Sequence, residues 1–244
     1  TSPTVIKALY AVVENMGFTT GNVLEPACGV GNFFGLVPES MDNSRFYGVE
    51  LDSITGRIAK QLYPKHNIAV QGFEETSLPD SFFDLAIGNV PFGDYGISDK
   101  RYDKNHFLVH DYFFAKALDK VRPGGIVAFI TSSGTMDKKN PAVRQYIAQR
   151  ADLVGAIRLP SNAFLANAGT GVVADILFLQ KRDRPIEIEP EWVHLGKTED
   201  GITINQYFVD NPDMVLGELT TESTKYAKLD SIVRPIDGAA LADQ

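Results

Sequence analysis

Val23-Leu24-Glu25-Pro26-Ala27-Cys28-Gly29-Val30-Gly31-Asn32 is the stretch on which the fold turns. A short apolar run meets a proline and then a bend carrying Gly29 and Gly31, and a helical segment is expected from Asn32. Strand, glycine turn and helix open a β-α unit. Such a turn lets a ligand approach the backbone without meeting a Cβ, in the crevice at the carboxyl ends of parallel strands.

Working outward, the alternation repeats. Upstream, Val5, Ile6, Leu9, Val12 and Val13 recur at helical spacing behind Thr1-Ser2-Pro3, where Ser2 suits a cap and Pro3 a first turn. Downstream, residues 46–49 read as strand, 54–62 as helix, and 68–70 and 83–87 as strands. A helix follows over 110–120, a turn at 122–125, a nearly all-apolar strand over 126–131 and a helix over 141–150. Continuous apolar strands alternating with helices predict an α/β fold with a parallel sheet covered on both faces. Residues 153–159 and 172–179, separated by a Gly-containing loop, read as a terminal antiparallel hairpin. Beyond Lys181 the chain turns polar and Pro-punctuated. The expected division is a main domain over 1–181 and a small extension of short strands and loops over 182–244, packed on the core and fraying near Ala239 and Ala240. There are no internal repeats.

With 244 residues, 44% of them hydrophobic and 22% charged, one large domain is long enough to bury a sizeable core. No apolar run approaches the roughly 20 residues of a membrane span, and the start lacks a basic, cleavable leader, so a cytoplasmic location is expected. Cys28 is the only cysteine, which excludes an internal disulfide framework and a cysteine-based zinc site; no metal is expected. The net charge of -8 argues against a self-sufficient nucleic-acid binder, because phosphate neutralisation leaves a basic footprint. A local patch would have to serve. Lys100, Arg101, Lys104 and His106 in one loop, and Lys138 and Lys139 in another, are the candidates, and each reads equally well as a solvated loop.

Glu50 ends the strand after the glycine turn, at the distance where a carboxylate accepts from both hydroxyls of a ribose. Its alternative is an exposed strand-end acid. A dinucleotide fingerprint would need a third glycine where this chain has Phe34, so a nicotinamide enzyme is disfavoured. Cys28 has neither His nor a cation beside it to lower its pKa and reads as a small turn residue rather than a nucleophile.

The segment Phe83-Asp84-Leu85-Ala86-Ile87-Gly88-Asn89-Val90-Pro91-Phe92-Gly93 carries the strongest chemical signal. A buried strand runs directly into Asn-Val-Pro-Phe. An exocyclic amine or an amide nitrogen is a poor nucleophile, because its lone pair is delocalised into the adjacent π system. The Asn89 side-chain oxygen and the Val90 carbonyl are suited to accept its two hydrogens and favour a pyramidal nitrogen. Phe92 is suited to stack on a planar base swung out of a duplex. No ionised base is needed; alignment and hydrogen bonds that strengthen as charge develops suffice. The alternative is an ordinary turn after a strand.

Together these segments resemble the N6-adenine DNA methyltransferases, and more closely the methylase portion of large helicase-methylase proteins of bacterial mobile elements. The resemblance covers roughly residues 1–181. It implies a Rossmann-like methyltransferase fold with a mostly parallel seven-stranded sheet and a terminal antiparallel hairpin, and S-adenosylmethionine as cofactor. Thr1, Ser2 and Pro3 resemble the segment that closes over the methionine carboxylate. Glu25, Pro26, Ala27, Cys28, Gly29, Val30 and Gly31 resemble the main cofactor loop, Glu50 the ribose-binding acid, and Asn89, Val90, Pro91 and Phe92 the catalytic Asn-Pro-Pro-Phe/Tyr. Two positions depart from the family. Val90 replaces a proline but keeps a backbone acceptor, while Pro91 still holds Val90 extended. Gln71-Gly72-Phe73-Glu74 replaces a Gly-Asp, so that Phe73 and Glu74 are candidates for the cofactor's adenine, a core Phe beside a solvated Glu being the alternative. Phe164 is a candidate second wall for the substrate base, against simple core packing.

The resemblance implies methyl transfer to adenine N6 in DNA, with recognition or helicase domains expected outside this chain, since Thr1 already lies in a functional segment and the stretch after Arg182 is short for target recognition. The same catalytic motif occurs in enzymes that methylate ribosomal RNA or protein glutamine. A cofactor-binding module inactive without the rest of a larger protein is the third reading.

Overall fold

A computed structural model describes residues 1–164, 173–223, 229–237 and 241. The glycine-turn strand, β1 (Asn22–Glu25), lies third in a seven-stranded sheet, beside the central strand. On one side it pairs in parallel with β2 (Arg45–Glu50), which pairs with β3 (Asn67–Val70). On the other it pairs in parallel with β4 (Phe83–Asn89), followed by β5 (Val121–Ser132). The chain order reverses there, because β1 to β3 step one way and β4 and β5 the other. A crevice therefore opens at the carboxyl ends of β1 and β4. The hairpin closes the sheet antiparallel: β6 (Ala151–Arg158) forms the edge and β7 (Ala174–Lys181) slips between it and β5. The order is β3-β2-β1-β4-β5-β7-β6.

Both faces are covered, as the apolar strands require. Side chains alternate along each strand, so neighbouring residues serve different layers. Val23, Leu85, Ile87, Ala128, Ile130 and Ile176 pack beneath Ile6, Leu9 and Val13 of helix α1 (Pro3–Asn15). Leu24, Ala86, Val127, Phe129 and Leu177 pack on the opposite face with Tyr112, Phe114 and Leu118 of α3 (Val109–Lys120) and Val143 and Ile147 of α5 (Ala142–Arg150). Ser2 caps α1, its hydroxyl accepting from Val5 N at 3.4 Å, and Pro3 occupies the first turn. Between β2 and β3 runs α2 (Ser53–Leu62), capped by Asp52, and after β5 the single turn α4 (Gly134–Asp137).

Two expectations are corrected. No α-helix starts at Asn32; the chain makes a turn and a short 3-10 helix over Phe34–Leu36. Gly35 weakens a helix there and Pro38 disfavours helical backbone at Val37, so there is no room for a second turn. The expected turn at 122–125 lies inside β5: the pairs Phe83↔Val121 and Leu85↔Ile126 leave the intervening residues bulged, with Gly124 at φ 76°.

Past β7 come two small antiparallel pairs, β8 (Leu195–Lys197) with β9 (Thr203–Asn205) and β10 (Glu218–Ser223) with β11 (Leu229–Arg234), and a short helix α6 (Gln206–Asp210). This segment is fastened to α4. The buried Asn205 amide donates to the Met136 and Trp192 carbonyls at 2.8 Å each, and Asp137 accepts from Asn205 N at 2.9 Å. Ala239 and Ala240 lie outside the described residues. Among the described residues no helix is long and apolar enough to cross a membrane.

Candidate active site

The crevice is built from the ends of β1, β2 and β4. Glu25 closes β1 and is only 2% exposed, with Oε2 left without a hydrogen-bond partner. Burial and the neighbouring Glu50 push its pKa well above the ordinary carboxyl value. A buried acceptor without a donor is costly, so Glu25 is suited to meet a donor, above all a cationic one. Gly88, at φ 155°, lets β4 pass over it; a Cβ there would come within 3.2 Å of Glu25 Cγ.

Past Glu25, Pro26 is buried, Ala27 half-buried, and the chain bends at Cys28 to Gly31. Gly29 has φ 56°, and a Cβ there would stand in open space. The backbone is turned for approach from outside. Gly31 has φ 90°, and its Cβ would fall 2.5 Å from the Tyr63 ring, so glycine is required by conformation and contact together. Glu50 is held from two sides: Oε2 accepts from Gly29 N and Oε1 from Asp52 N, both at 2.8 Å. Its carboxylate thus ties the glycine turn to the start of α2. Burial, then Glu25 and Glu50, push the Cys28 thiol up, which suits a small packing residue and not a nucleophile.

Across the switch point, Asn89 ends β4. Its amide nitrogen donates to the Thr1 hydroxyl at 3.1 Å, which leaves the side-chain oxygen as an acceptor and joins the N-terminal segment to this loop. Val90 is buried, and its N–H extends the β4–β5 ladder by donating to the Ile130 carbonyl at 3.1 Å. Pro91 and Phe92 are half-buried, Phe92 touching both core layers. Thr1, Glu25, Gly29, Glu50 and Asn89 are thus gathered around one crevice.

Other candidates lie differently. Phe73 is 3% exposed and packs on Tyr112 and Phe113, with ring centroids at 6.2 and 5.1 Å. Its ring is spent on the core, while Glu74 stays half-exposed. Phe164 is buried in the layer that Phe92 touches. Of the basic candidates, Arg101 bridges Asp80 at 2.7 Å and Asp119 at 2.9 Å, and Lys138 pairs with buried Asp111. Those charges are already engaged.

Three features escaped the sequence reading. Leu51, one residue past Glu50, is 74% exposed, an apolar wall where a planar ring could lie. A lone leucine after an acid carries no pattern that would single it out. Tyr63 shapes the glycine turn from far along the chain. His110, at the start of α3, is buried with neither ring nitrogen hydrogen-bonded, its pKa lowered by burial.

The family model described as N-6 DNA Methylase matches residues 1–195. The chain belongs to that family. Among curated relatives, it is 29% identical over 211 residues to the defense against restriction protein B of Escherichia phage P1, covering 84% of this chain and 9% of that protein. It is 29% identical over 179 residues to the type II methyltransferase M.CvrRI of Paramecium bursaria Chlorella virus XZ-6E, covering 70% of this chain and 45% of the relative. The chain therefore spans less than half the length of either. Among solved structures, the M protein of the type I restriction enzyme EcoKI superposes with a TM-score of 0.62 at 18% identity, over 77% of this chain and 45% of that one. A modification subunit of a putative type I restriction enzyme from Vibrio vulnificus YJ016 gives 0.60 at 16% identity, over 98% and 59%. These likenesses carry the fold, a Rossmann-like methyltransferase architecture. Within the N-6 DNA Methylase family, the glycine turn and the Asn89 loop occupy the two strand ends that flank the switch point.

Proposed function

We propose that this chain transfers a methyl group from S-adenosylmethionine to the exocyclic N6 of adenine in DNA. The observation that carries it is Asn89: it stands at the end of β4 with its amide nitrogen committed to Thr1, so its oxygen is the group free to accept from an amine.

The residues fit the cofactor. Glu25 offers a buried, unpartnered oxygen to an ammonium, Gly29 leaves open space beside the backbone, Glu50 offers a carboxylate at a strand end, and Leu51 an apolar face. Pro26, Ala27, Cys28 and Gly31 shape the turn, and Thr1, on the Asn89 amide, leads with Ser2 and Pro3 into α1 as the segment assigned to the methionine carboxylate. When bound, S-adenosylmethionine supplies a methyl carbon on a positively charged sulfur. Asn89 Oδ1 and the Val90 carbonyl accept the two amine hydrogens and direct the lone pair, and Phe92 supports the base plane. Phe164 is kept in this scheme as the second wall of the base, beside Phe92 in the same core layer, while Phe73 is taken up by packing on Tyr112 and Phe113, which leaves Glu74 as the candidate for the cofactor's adenine. The hydrogen bonds gain strength as charge develops on nitrogen, and one such contact is typically worth about 2.7–4 kcal/mol of barrier.

DNA engagement by the parent protein would draw on recognition or helicase parts beyond this chain, in keeping with its -8 charge and with Arg101 and Lys138 being ion-paired. In this proposal residues 1–181 are the catalytic domain and 182–244 its extension, working in the cytoplasm. Incubation with methyl-labelled cofactor and separate DNA, RNA and protein fractions tests the substrate. Label in DNA supports the proposal; label in RNA or on glutamine redirects it. Tight cofactor binding by calorimetry with no label anywhere would mark a module that needs its neighbours.

A further inference from the structure

Helix α2 is inside out. Amphipathic helices normally turn their large apolar residues to the core. Here the core-facing residues are the small ones, Gly56 and Ala59, both buried. A Cβ on Gly56 would come within 2.9 Å of Val70 Cγ2, so the helix lies so close to β3 that only glycine fits. The large residues face outward: Ile54 is 68% exposed, Ile58 44% and Leu62 58%. At spacings of i, i+4 and i+8 they form one ridge, roughly 12 Å long at about 1.5 Å per residue. Beside the ridge is an open depression of about 470 Å³ lined by Ile54, Arg57, Ile58, Lys60, Gln61 and Leu62. Single exposed aliphatics are ordinary, but a contiguous patch of this kind marks an interaction surface.

The geometry points to α2 as a docking face for an amphipathic helix of a protein partner, one that carries an aliphatic seam flanked by acidic residues. Ridge spacing selects a helix, because an i+4 ridge packs into the groove between the ridges of another helix. Charge selects the flank. Residues 53–62 hold Arg57 and Lys60 and no acid, and neither cation makes an ion pair among the described residues. In a chain of net charge -8 this is a locally basic strip. A second copy is the poorer occupant, since a two-fold contact through the same patch sets Arg57 and Lys60 against their own equivalents. The ridge starts at the rim of the crevice, Ile54 lying four residues past Glu50, and runs along α2 away from it; the docking face does not rest on the methyl-transfer proposal.

Two synthetic helical peptides with the same leucine seam, one flanked by Glu and one by Lys, test this against the full chain by fluorescence anisotropy. The Glu-flanked peptide should bind at least about tenfold more tightly than the Lys-flanked one. Ile58→Glu should weaken it by at least about tenfold, and Arg57→Glu with Lys60→Glu should invert the preference. All these side chains are exposed, and an unchanged thermal midpoint would verify that the variants fold. Equal binding of both peptides, no binding of either, concentration-dependent self-association abolished by Ile58→Glu, or adsorption to anionic phosphatidylserine vesicles in place of the peptide would each overturn the proposal.

Discussion

Glu25 is a residue under electrostatic stress. Its carboxyl is buried without a donor on one oxygen, and burial together with Glu50 raises its pKa. In the folded chain it therefore holds its proton to higher pH than in the unfolded chain. The folded state binds more protons above the ordinary carboxyl value of 4.5, so stability falls as pH rises from there toward the raised pKa. Glu25→Gln removes the ionisation. The variant should be more stable than the parent at pH 8 by roughly 1–3 kcal/mol, should match it near pH 4, and should lose cofactor binding. Thermal melts across pH, without and with S-adenosylmethionine, check both halves. A parent whose stability is flat from pH 5 to 8 would show that the fold does not raise the Glu25 pKa.

At the scale of elements, the Asn89 loop is an extension of the β4–β5 ladder. The family's usual proline is replaced by Val90, whose N–H donates to Ile130. Val90→Pro restores the usual residue but removes that donor, and it should cost on the order of 1 kcal/mol, read as a lower denaturant midpoint at unchanged slope. An unchanged midpoint would mean that the ladder bond contributes nothing net.

The strands were legible because their residues are apolar over short runs bounded by Gly, Pro and Asp. That is how the segments at 46–49, 68–70, 83–87 and 126–131 were found to within a few residues of β2, β3, β4 and β5. The helix expected at Asn32 failed because one glycine and a nearby proline outweighed the residues between them. The inverted face of α2 was illegible, since Ile54, Ile58 and Leu62 have the period of a core-facing helix and only the closeness of Gly56 to Val70 turns them outward. In the crevice, the glycines, Glu50 and Asn89 announced themselves by position after strands. Leu51 and Tyr63 did not, since they act through placement alone.

For the whole molecule, the hairpin, α4 and the segment beyond β7 meet at a buried ion cluster. Arg158 on β6 is fully buried, donates to Asp175 on β7 at 2.8 and 2.9 Å and to Asp137 on α4 at 2.7 Å, and lies 4.4 Å from the Phe208 ring of α6. Arg158→Met strands Asp175 in the interior and should cost about 3–5 kcal/mol, a large part of a typical domain's stability. Adding Asp175→Leu should recover much of that loss, because an apolar pair leaves no orphaned charge. Chemical denaturation of the two variants measures it, and a double variant no better than the single one would assign the role to packing on Phe208.

The crevice at the switch point is where the molecule's scales meet, and the chemistry proposed for it reduces to one atom on one base. The most direct test is to incubate the chain with S-adenosylmethionine and adenine-containing DNA, digest the product to nucleosides and identify them by mass spectrometry, with Asn89→Ala beside the parent. N6-methyl-2′-deoxyadenosine from the parent, falling by at least about 100-fold in the variant while cofactor binding persists, is the expected result. N6-methyl-2′-deoxyadenosine produced equally by both proteins, or methylation at any other position of DNA, would contradict it.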